Sequence, residues 1–290
     1  MARGSLGDLL HDFLKRGDEI AYIQRTGYRT VRWSYRRVAN TAFQFTQELE
    51  SRGIAKGDRV LIWGPNSAEW VAAFLGCVAR GAVIVPMDDS AAPDFARRVV
   101  DQVGAKLIVC SRAHLSHAGS TPGLILEDLP AALERHPSTS SAVLPTESKD
   151  TLQIVFTSGT TAEPKGVVIS HGNVLANIGP LEVETGKYLK YERFVHPVRF
   201  LNLLPLSHVF GQFLGIFLPQ LLGGTVVFQE TLKPSEVIST IRRQRVSLLV
   251  AVPRVLQSLK EKIELDFEGE NRREQFRERI RFAEGKHFLR

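Results

Sequence analysis

The sequence predicts an α/β fold in which parallel sheets are covered by helices on both faces. Short apolar strands alternate with helical stretches of about a dozen residues from residue 58 onward. The alternation resumes after residue 198, which gives two βα-rich blocks of similar kind. The 290 residues are enough for two ordinary domains or one large one.

Composition is that of a globular protein, with 43% apolar and 23% charged residues. No apolar run approaches the roughly 20 residues of a membrane span, and acidic residues stand where a signal peptide would be apolar. We therefore expect a cytoplasmic protein. The two cysteines, Cys77 and Cys110, fit neither a disulfide framework nor a zinc site, and we expect buried thiols.

The first fifty residues predict a helix, a hairpin and a second helix. Leucines at helical spacing open the chain, and two strands follow with a turn at Thr26-Gly27. Ser34 can cap the second helix and Gly53 can end it. The predicted strands are 19–24 and 28–33.

The first βα block begins near residue 58. Asn66 with Glu69 resembles a capping box, and Gly81 ends the helix that follows it. Residues 130–150 are rich in proline and serine and lack periodicity, so we interpret them as a surface connection. The predicted elements are strands at 58–64, 82–87, 105–110 and 151–156 and a helix at 92–103.

The second block repeats the pattern and ends in an arginine-rich stretch. The net charge of +6 is concentrated late in the chain. Such a bias suits a polyanion, a membrane surface or a phosphorylated ligand, but a solvated helix face is the favoured interpretation. Without a nucleic-acid-binding motif, we expect no nucleic-acid partner. The predicted elements are strands at 199–205, 225–230 and 247–252 and helices after Ser207, at 234–244 and from Pro253.

The loop TSGTTAEPKG, residues 157–166, carries the chemistry. It holds four hydroxyl side chains, two glycines and one lysine in ten residues. Hydroxyls and consecutive backbone N–H groups can donate to phosphate oxygens, and Lys165 supplies a compact positive charge. The loop is not a Walker A motif, because its lysine precedes Gly166 and an apolar strand follows. A serine- and threonine-rich turn with no ligand is the alternative on composition alone.

This loop, followed by V-x-x-S-H, resembles the signature of the adenylate-forming superfamily, which includes acyl-CoA synthetases and peptide-synthetase adenylation domains. Ala162 stands where the family usually has glycine. Four other segments are similar to the family in order and spacing. They are 33–38, 77–90, 201–212 and 247–259.

The resemblance implies roles for particular residues. Lys165 and His208 would act in catalysis, with His208 between the acyl carboxylate and the nucleotide. A structural histidine at a helix start is the alternative for His208, and His171 is expected to pack or cap. The residues implied to hold the ATP phosphates are Thr157, Ser158, Gly159, Thr160, Thr161 and Lys165, with Thr157 also near Mg²⁺.

The implied reaction is attack of a carboxylate on the α-phosphate of ATP, followed by transfer of the acyl group to a thiol, usually coenzyme A. PLSHVFGQ, residues 205–212, together with the arginine-rich stretch after VPRVLQSLKEKIE, resembles long-chain fatty acyl-CoA synthetases, which implies a medium- or long-chain fatty acid. A ligase for aryl or other acids and a non-catalytic binding or scaffold protein are the alternatives. The basic terminal helix could also contact a membrane surface.

The resemblance further implies two doubly wound subdomains, with residues 52–197 in the first and 1–51 plus 198–290 in the second. The family's adenine-binding segment, ribose-binding acid and small C-terminal domain have no counterpart. We therefore expect an N-terminal fragment that does not catalyse adenylation at a normal rate. An incomplete second sheet predicts an exposed edge and dimerisation through it.

Overall fold

The computed structural model describes residues 5–138, 143–157, 163–192 and 196–269, together with 274, 278 and 281. The helices are α1 (Asp8–Arg16), α2 (Tyr35–Ser51), α3 (Ala68–Arg80), α4 (Pro93–Val103), α5 (Leu129–Ala132), α6 (His171–Glu192), α7 (Val209–Gln212), α8 (Leu218–Leu221), α9 (Pro234–Gln244) and α10 (Pro253–Gly269), with a 3₁₀ helix at Arg112–His117 and a π-helical segment at Phe213–Phe217. The strands are β1 (Ile20–Thr26), β2 (Arg29–Ser34), β3 (Arg59–Trp63), β4 (Val83–Met87), β5 (Leu107–Cys110), β6 (Gly123–Ile125), β7 (Thr151–Thr157), β8 (Lys165–Ser170), β9 (Arg199–Asn202), β10 (Thr225–Phe228) and β11 (Leu248–Val250).

These strands form two largely parallel sheets. The six-stranded sheet has the order β6-β5-β3-β4-β7-β8, and only β8 pairs antiparallel. The five-stranded sheet has the order β11-β9-β10-β1-β2, and only β2 pairs antiparallel. The predicted α/β fold with two sheets is confirmed. Its subdomain limits at 52 and 197, and dimerisation through a sheet edge, stay predictions.

The largest apolar core lies between the two sheets and is shared by both. Ile62 and Ile84 enter it from the six-stranded sheet, and Val226 and Phe228 enter it from the five-stranded sheet. Helices α1, α2 and α3 fill the space between them, with α6 and the π-helical segment alongside. Because strand side chains alternate between faces, each sheet also has an outer apolar face.

The outer faces are covered by other helices. Leu61 and Val85 pack with Val99 of α4, whereas Leu201 packs with Val237 of α9 and with residues of α10. The result is five layers, with helices outside and between two sheets. This arrangement holds the two sheets close enough for their connecting loops to meet.

Local signals predicted several element ends correctly. Ser34 caps α2 by accepting a hydrogen bond of 3.2 Å from the backbone N–H of Arg37, and Gly81 ends α3 in the left-handed conformation. Helix α9 spans the predicted 234–244. Both cysteine thiols are buried as expected, and burial, with Glu127 adding, raises the pKa of Cys110 to about 11.

Two predictions were wrong. The cap of α3 is Ser67, which accepts from the backbone N–H of Trp70 at 3.0 Å, so Asn66 forms no capping box. The β1–β2 pairing joins Thr26 to Arg29, so the turn lies one residue later than predicted. Helix α6 was not predicted at all, because internal glycines and Pro180 lower its helix propensity.

None of the described helices combines the length and the apolar character that a bilayer span requires.

Candidate functional site

The candidate site is a cleft at the carboxyl ends of the parallel strands. The segments that follow β3, β4, β9 and β10 line a cavity of about 450 Å³ there. In open α/β sheets, ligands bind in the crevice outside the carboxyl ends of the strands. The five-layer packing places such ends from both sheets around one cavity.

The lining of this cavity combines an apolar part with several carboxylates. A ligand with an apolar portion and a polar portion fits such a surface. The apolar side chains are those of Leu126, Leu203, Phe228 and Leu232, and the charged ones are those of Arg25, Glu69, Asp88, Asp89, Glu127 and Glu230.

His208 lies beside this cavity, at the residue before α7, and its side chain is 59% exposed. Its Nε2 lies 4.0 Å from Oδ2 of Asp88, which follows β4 of the other sheet. The neighbouring Ser207 donates its hydroxyl to the same oxygen at 3.2 Å. The turn of His208, residues 204–208 before α7, is thus held against the carboxyl end of β4. The imidazole of His208 remains accessible.

Asp88 is the anionic centre of this contact. Burial raises the pKa of Asp88, whereas hydrogen bonds from the hydroxyl and backbone N–H of Ser90 lower it. Ser207 and His208 lower it further, so the pKa of Asp88 lies below its ordinary value. The carboxylate is therefore ionised at neutral pH and can keep its partners in place.

Asn66 fixes the start of the same turn. Its side-chain nitrogen donates to the carbonyl of Leu204 at 2.7 Å, and its side-chain oxygen accepts from the backbone N–H of Leu206 at 2.8 Å. Asn66 follows β3, so a second strand of the six-stranded sheet holds a turn that belongs to the five-stranded sheet. A side-chain amide that satisfies both a donor and an acceptor leaves the turn little freedom.

The predicted phosphate loop connects the antiparallel strands β7 and β8. Thr157 pairs with Lys165 in the register of this hairpin, so the loop starts and ends at adjacent points. The Lys165 side chain is exposed, as a phosphate ligand requires. The predicted phosphate ligands Ser158, Gly159, Thr160 and Thr161, and the side chain of Thr157, lie outside the described residues.

A buried amide pair connects this hairpin with the His208 turn. Gln153 of β7 and Gln212 of α7 each donate to the other's side-chain oxygen at 2.9 Å. Gln212 also donates to the carbonyl of Leu206 at 3.0 Å. Both side chains are fully buried, so the two predicted site segments are linked through the protein interior.

His171, at the first residue of α6, is 2% exposed. Burial lowers the pKa of its imidazole, with Lys56 adding to this effect and Asp150 opposing it. Its backbone N–H donates to the carbonyl of Asp150 at 3.0 Å, which closes the base of the β7–β8 hairpin. This agrees with the expected packing role.

The described side chains contain no group of three or more His, Cys, Asp or Glu residues that could hold a metal ion. Mg²⁺ is commonly held by one or two protein oxygens together with substrate phosphates and water. The hydroxyl of Thr157 is a donor of that class, so the implied Mg²⁺ site fits the residue type.

Sequence reasoning placed Lys165 and His208 in one site and missed the residues that hold their segments. Asp88 could have been found, because it directly follows a predicted strand whose carboxyl end faces the cleft. Asn66 was assigned to a helix cap, and Gln153 and Gln212 carry no local signal. Their partners lie 138 and 59 residues away in the chain.

A family model described as AMP-binding enzyme matches residues 11–284 of the chain. The chain is 28% identical over 229 residues to a feruloyl-CoA synthase of Amycolatopsis sp, 31% identical over 228 residues to an L-proline--[L-prolyl-carrier protein] ligase of Pseudomonas fluorescens, and 29% identical over 241 residues to the long-chain-fatty-acid--CoA ligase FadD13 of Mycobacterium tuberculosis. These matches cover 78%, 74% and 80% of the chain but 45%, 44% and 46% of the relatives. The chain thus spans less than half the length of these relatives.

Solved structures agree with this match in fold. The inhibitor-bound N-terminal domain of FACL13 from Mycobacterium tuberculosis has a TM-score of 0.72 and 25% identity, and the match covers 89% of this chain and 65% of that one. VinN in complex with 3-methylaspartate has a TM-score of 0.74 and 22% identity, with 88% and 68% covered.

Proposed function

The chain belongs to the AMP-binding enzyme family, and we propose that the protein activates a carboxylic acid with ATP. The acid becomes an acyl-adenylate with release of pyrophosphate, and a thiol then takes the acyl group with release of AMP. The observation that carries this proposal is the motif TSGTTAEPKG on the β7–β8 hairpin, linked through the interior to the turn of His208.

In the first step a carboxylate oxygen forms a bond to the α-phosphorus of ATP, and the bond from that phosphorus to the pyrophosphate oxygen breaks. Both reactants are anions, so the protein must neutralise charge and align them. We propose that Lys165 and the hydroxyls of Thr157, Ser158, Thr160 and Thr161 hold the β- and γ-phosphates. Gly159 would let the backbone N–H groups approach them.

His208 is proposed to lie between the acyl carboxylate and the nucleotide. Its exposed imidazole can donate a hydrogen bond to a phosphate or carboxylate oxygen. Asp88 and Ser207 would keep the turn in place while the ligands bind. The hydroxyl of Thr157 is proposed to help hold Mg²⁺, which would supply further charge neutralisation when bound. Coenzyme A is the proposed acceptor thiol.

For the acid we propose a medium- or long-chain fatty acid. The apolar side chains along the cavity and the likeness to a long-chain-fatty-acid--CoA ligase support it. The likeness to a feruloyl-CoA synthase favours a second candidate, an aryl acid. Glu69 and four other carboxylates line the same cavity. They would disfavour an acid with a second negative charge.

Nucleotide binding tests the phosphate-loop assignment. ATP affinity of the purified chain should fall about ten- to hundredfold in Lys165→Ala, because one charge-assisted contact to phosphate is lost. Lys106→Ala is the matched control, since Lys106 is an exposed lysine at the opposite end of the six-stranded sheet. Equal affinities of wild type and Lys165→Ala would contradict the assignment.

Acid-dependent AMP release tests the reaction and its substrate. The protein with whatever sequence follows residue 290 should be assayed in the presence of ATP and coenzyme A with octanoate, palmitate, ferulate and proline. Faster AMP release with the fatty acids supports the proposal, and a preference for ferulate supports the aryl-acid candidate. ATP binding without AMP release for any acid would indicate a non-catalytic binding or scaffold protein.

A further inference from the structure

We infer that the Gln153–Gln212 amide pair is a positioning link, through which binding of a ligand to the phosphate loop changes the position of His208. This inference rests on the proposed function, since it assumes that the loop and His208 serve one site. It adds two residues that hold no ligand themselves and act through the segments they join.

The pair lies at a junction between the two site segments. Gln153 belongs to β7, four residues before Thr157, where the phosphate loop begins. Gln212 lies one helical turn after His208, and its backbone N–H donates to the carbonyl of His208 at 3.0 Å. One side chain therefore moves with the strand that carries the loop, and the other moves with the turn that carries His208.

The other ties of the His208 turn reach different strands. Asn66 follows β3, and Asp88 follows β4. Among the hydrogen bonds of the described side chains, the Gln153–Gln212 pair connects this turn with the β7–β8 hairpin. The pair is therefore placed to transmit a small displacement of the hairpin to the turn.

The chemistry of the pair makes this link rigid. Two amides that donate to each other form two nearly parallel hydrogen bonds, which restrict both distance and orientation. Both side chains are fully buried, so water cannot replace a broken bond. Gln212 also holds the carbonyl of Leu206, so a shift of its amide is passed to the turn itself.

The experiment follows the imidazole signals of the chain with inorganic pyrophosphate as the ligand. The eight histidines give a small set of resonances in a ¹H–¹⁵N spectrum, and His208→Gln identifies the signal of His208. In the wild type we expect pyrophosphate to shift the His208 signal. In Gln153→Met/Gln212→Met we expect that shift to fall to about half or less while pyrophosphate still binds.

Replacing both glutamines by apolar side chains of similar length avoids leaving one amide unpaired. If the double variant does not fold, Gln153→Met serves instead, because Gln212 keeps its bond to Leu206. Gln220→Met is the matched control. Gln220 is also a buried glutamine, in α8, and its side chain does not take part in the pair. This control should keep the wild-type shift.

The outcomes separate the two hypotheses. An equal His208 shift in wild type and double variant, or no shift in the wild type despite pyrophosphate binding, would overturn the positioning link and leave the proposed function standing. A wild type that binds no pyrophosphate would overturn the proposed function, and the link would fall with it. A shift lost in the double variant and kept in Gln220→Met supports the link.

Discussion

The hydroxyl of Ser207 donates to Oδ2 of Asp88 at 3.2 Å, which joins the turn before His208 in one sheet to the end of β4 in the other. This contact lowers the pKa of the Asp88 carboxyl together with the bonds from Ser90. It also means that the environment of His208 depends on Asp88, which stands 119 positions before Ser207 in the chain.

Removing this hydroxyl should therefore change the titration of Asp88. In Ser207→Ala we expect the pKa of Asp88 to rise toward its ordinary value, because one hydrogen bond to the ionised form is lost. Carboxyl ¹³C chemical shifts across the acid range measure it. Ser239→Ala, an exposed serine in α9, should leave the titration unchanged. An unchanged pKa in Ser207→Ala would argue against the contact.

The turn of His208 also depends on the absence of a side chain at Gly211. A Cβ at this position would overlap the carbonyl oxygen of Pro205. We expect Gly211→Ala to destabilise the fold by about 1–3 kcal/mol, because the turn must move away. Urea unfolding measures this change, and the His208 imidazole signal should shift with it.

Gly186→Ala is the matched comparison for that variant. Gly186 lies in α6, and its added Cβ would meet nothing within 4 Å. Because alanine favours helix over glycine, we expect a gain of about 0.5–1 kcal/mol. The same substitution should thus have opposite signs at the two sites. Equal effects would mean that the space around Gly211 is not limiting.

Asn66→Ala should loosen the same turn from its other side. Two hydrogen bonds to the backbone of Leu204 and Leu206 are lost, and we expect a cost of about 1–3 kcal/mol. Asn177→Ala removes an exposed amide that donates to the carbonyl of Asn173 in its own helix, and it should cost less. Thermal unfolding of both variants decides the comparison.

A buried carboxylate away from the cleft lies in an ion cluster and is predicted to make stability depend on pH. Glu48 of α2 is 1% exposed and contacts Arg52 at 2.7 Å, His136 at 2.6 Å and the guanidinium of Arg135. Burial raises its pKa, but these three partners outweigh burial and lower it from 4.5 to about 2. The ion cluster fastens α2 to the segment that follows α5.

The sign of the pH effect follows from that shift. Because the pKa is lower in the folded state, Glu48 contributes stability above pH 4.5, and this contribution is lost as the pH falls toward 2. We expect Glu48→Gln to lose about 3 kcal/mol at pH 7 and less near pH 3. Glu50→Gln is the control on the same helix, since Glu50 is 66% exposed. Urea unfolding at several pH values measures the stability of both variants. Equal losses of stability in Glu48→Gln and Glu50→Gln would contradict this account.

The features that the sequence predicted depend on residues close together in the chain, whereas the features that it missed depend on distant residues. The cap at Ser34 and the helix that begins at Pro234 depend on residues a few positions away, so local patterns found them. The roles of Asn66 and Gln212 depend on partners that only the folded chain brings near. Helix α6 is stabilised by packing of Val174 and Ile178 in the core, which its own composition does not reveal.

The order of the five-stranded sheet has a consequence for synthesis of the chain. Strand β1 pairs with β10 through Tyr22 and Val226, which stand about two hundred residues apart, and such distant pairings form slowly. The β1–β2 hairpin leaves the ribosome long before β10 is synthesised. Its apolar face therefore stays exposed while the six-stranded sheet is synthesised. Chaperones that bind nascent chains should therefore engage residues 20–34 first and release them only after β10 has emerged.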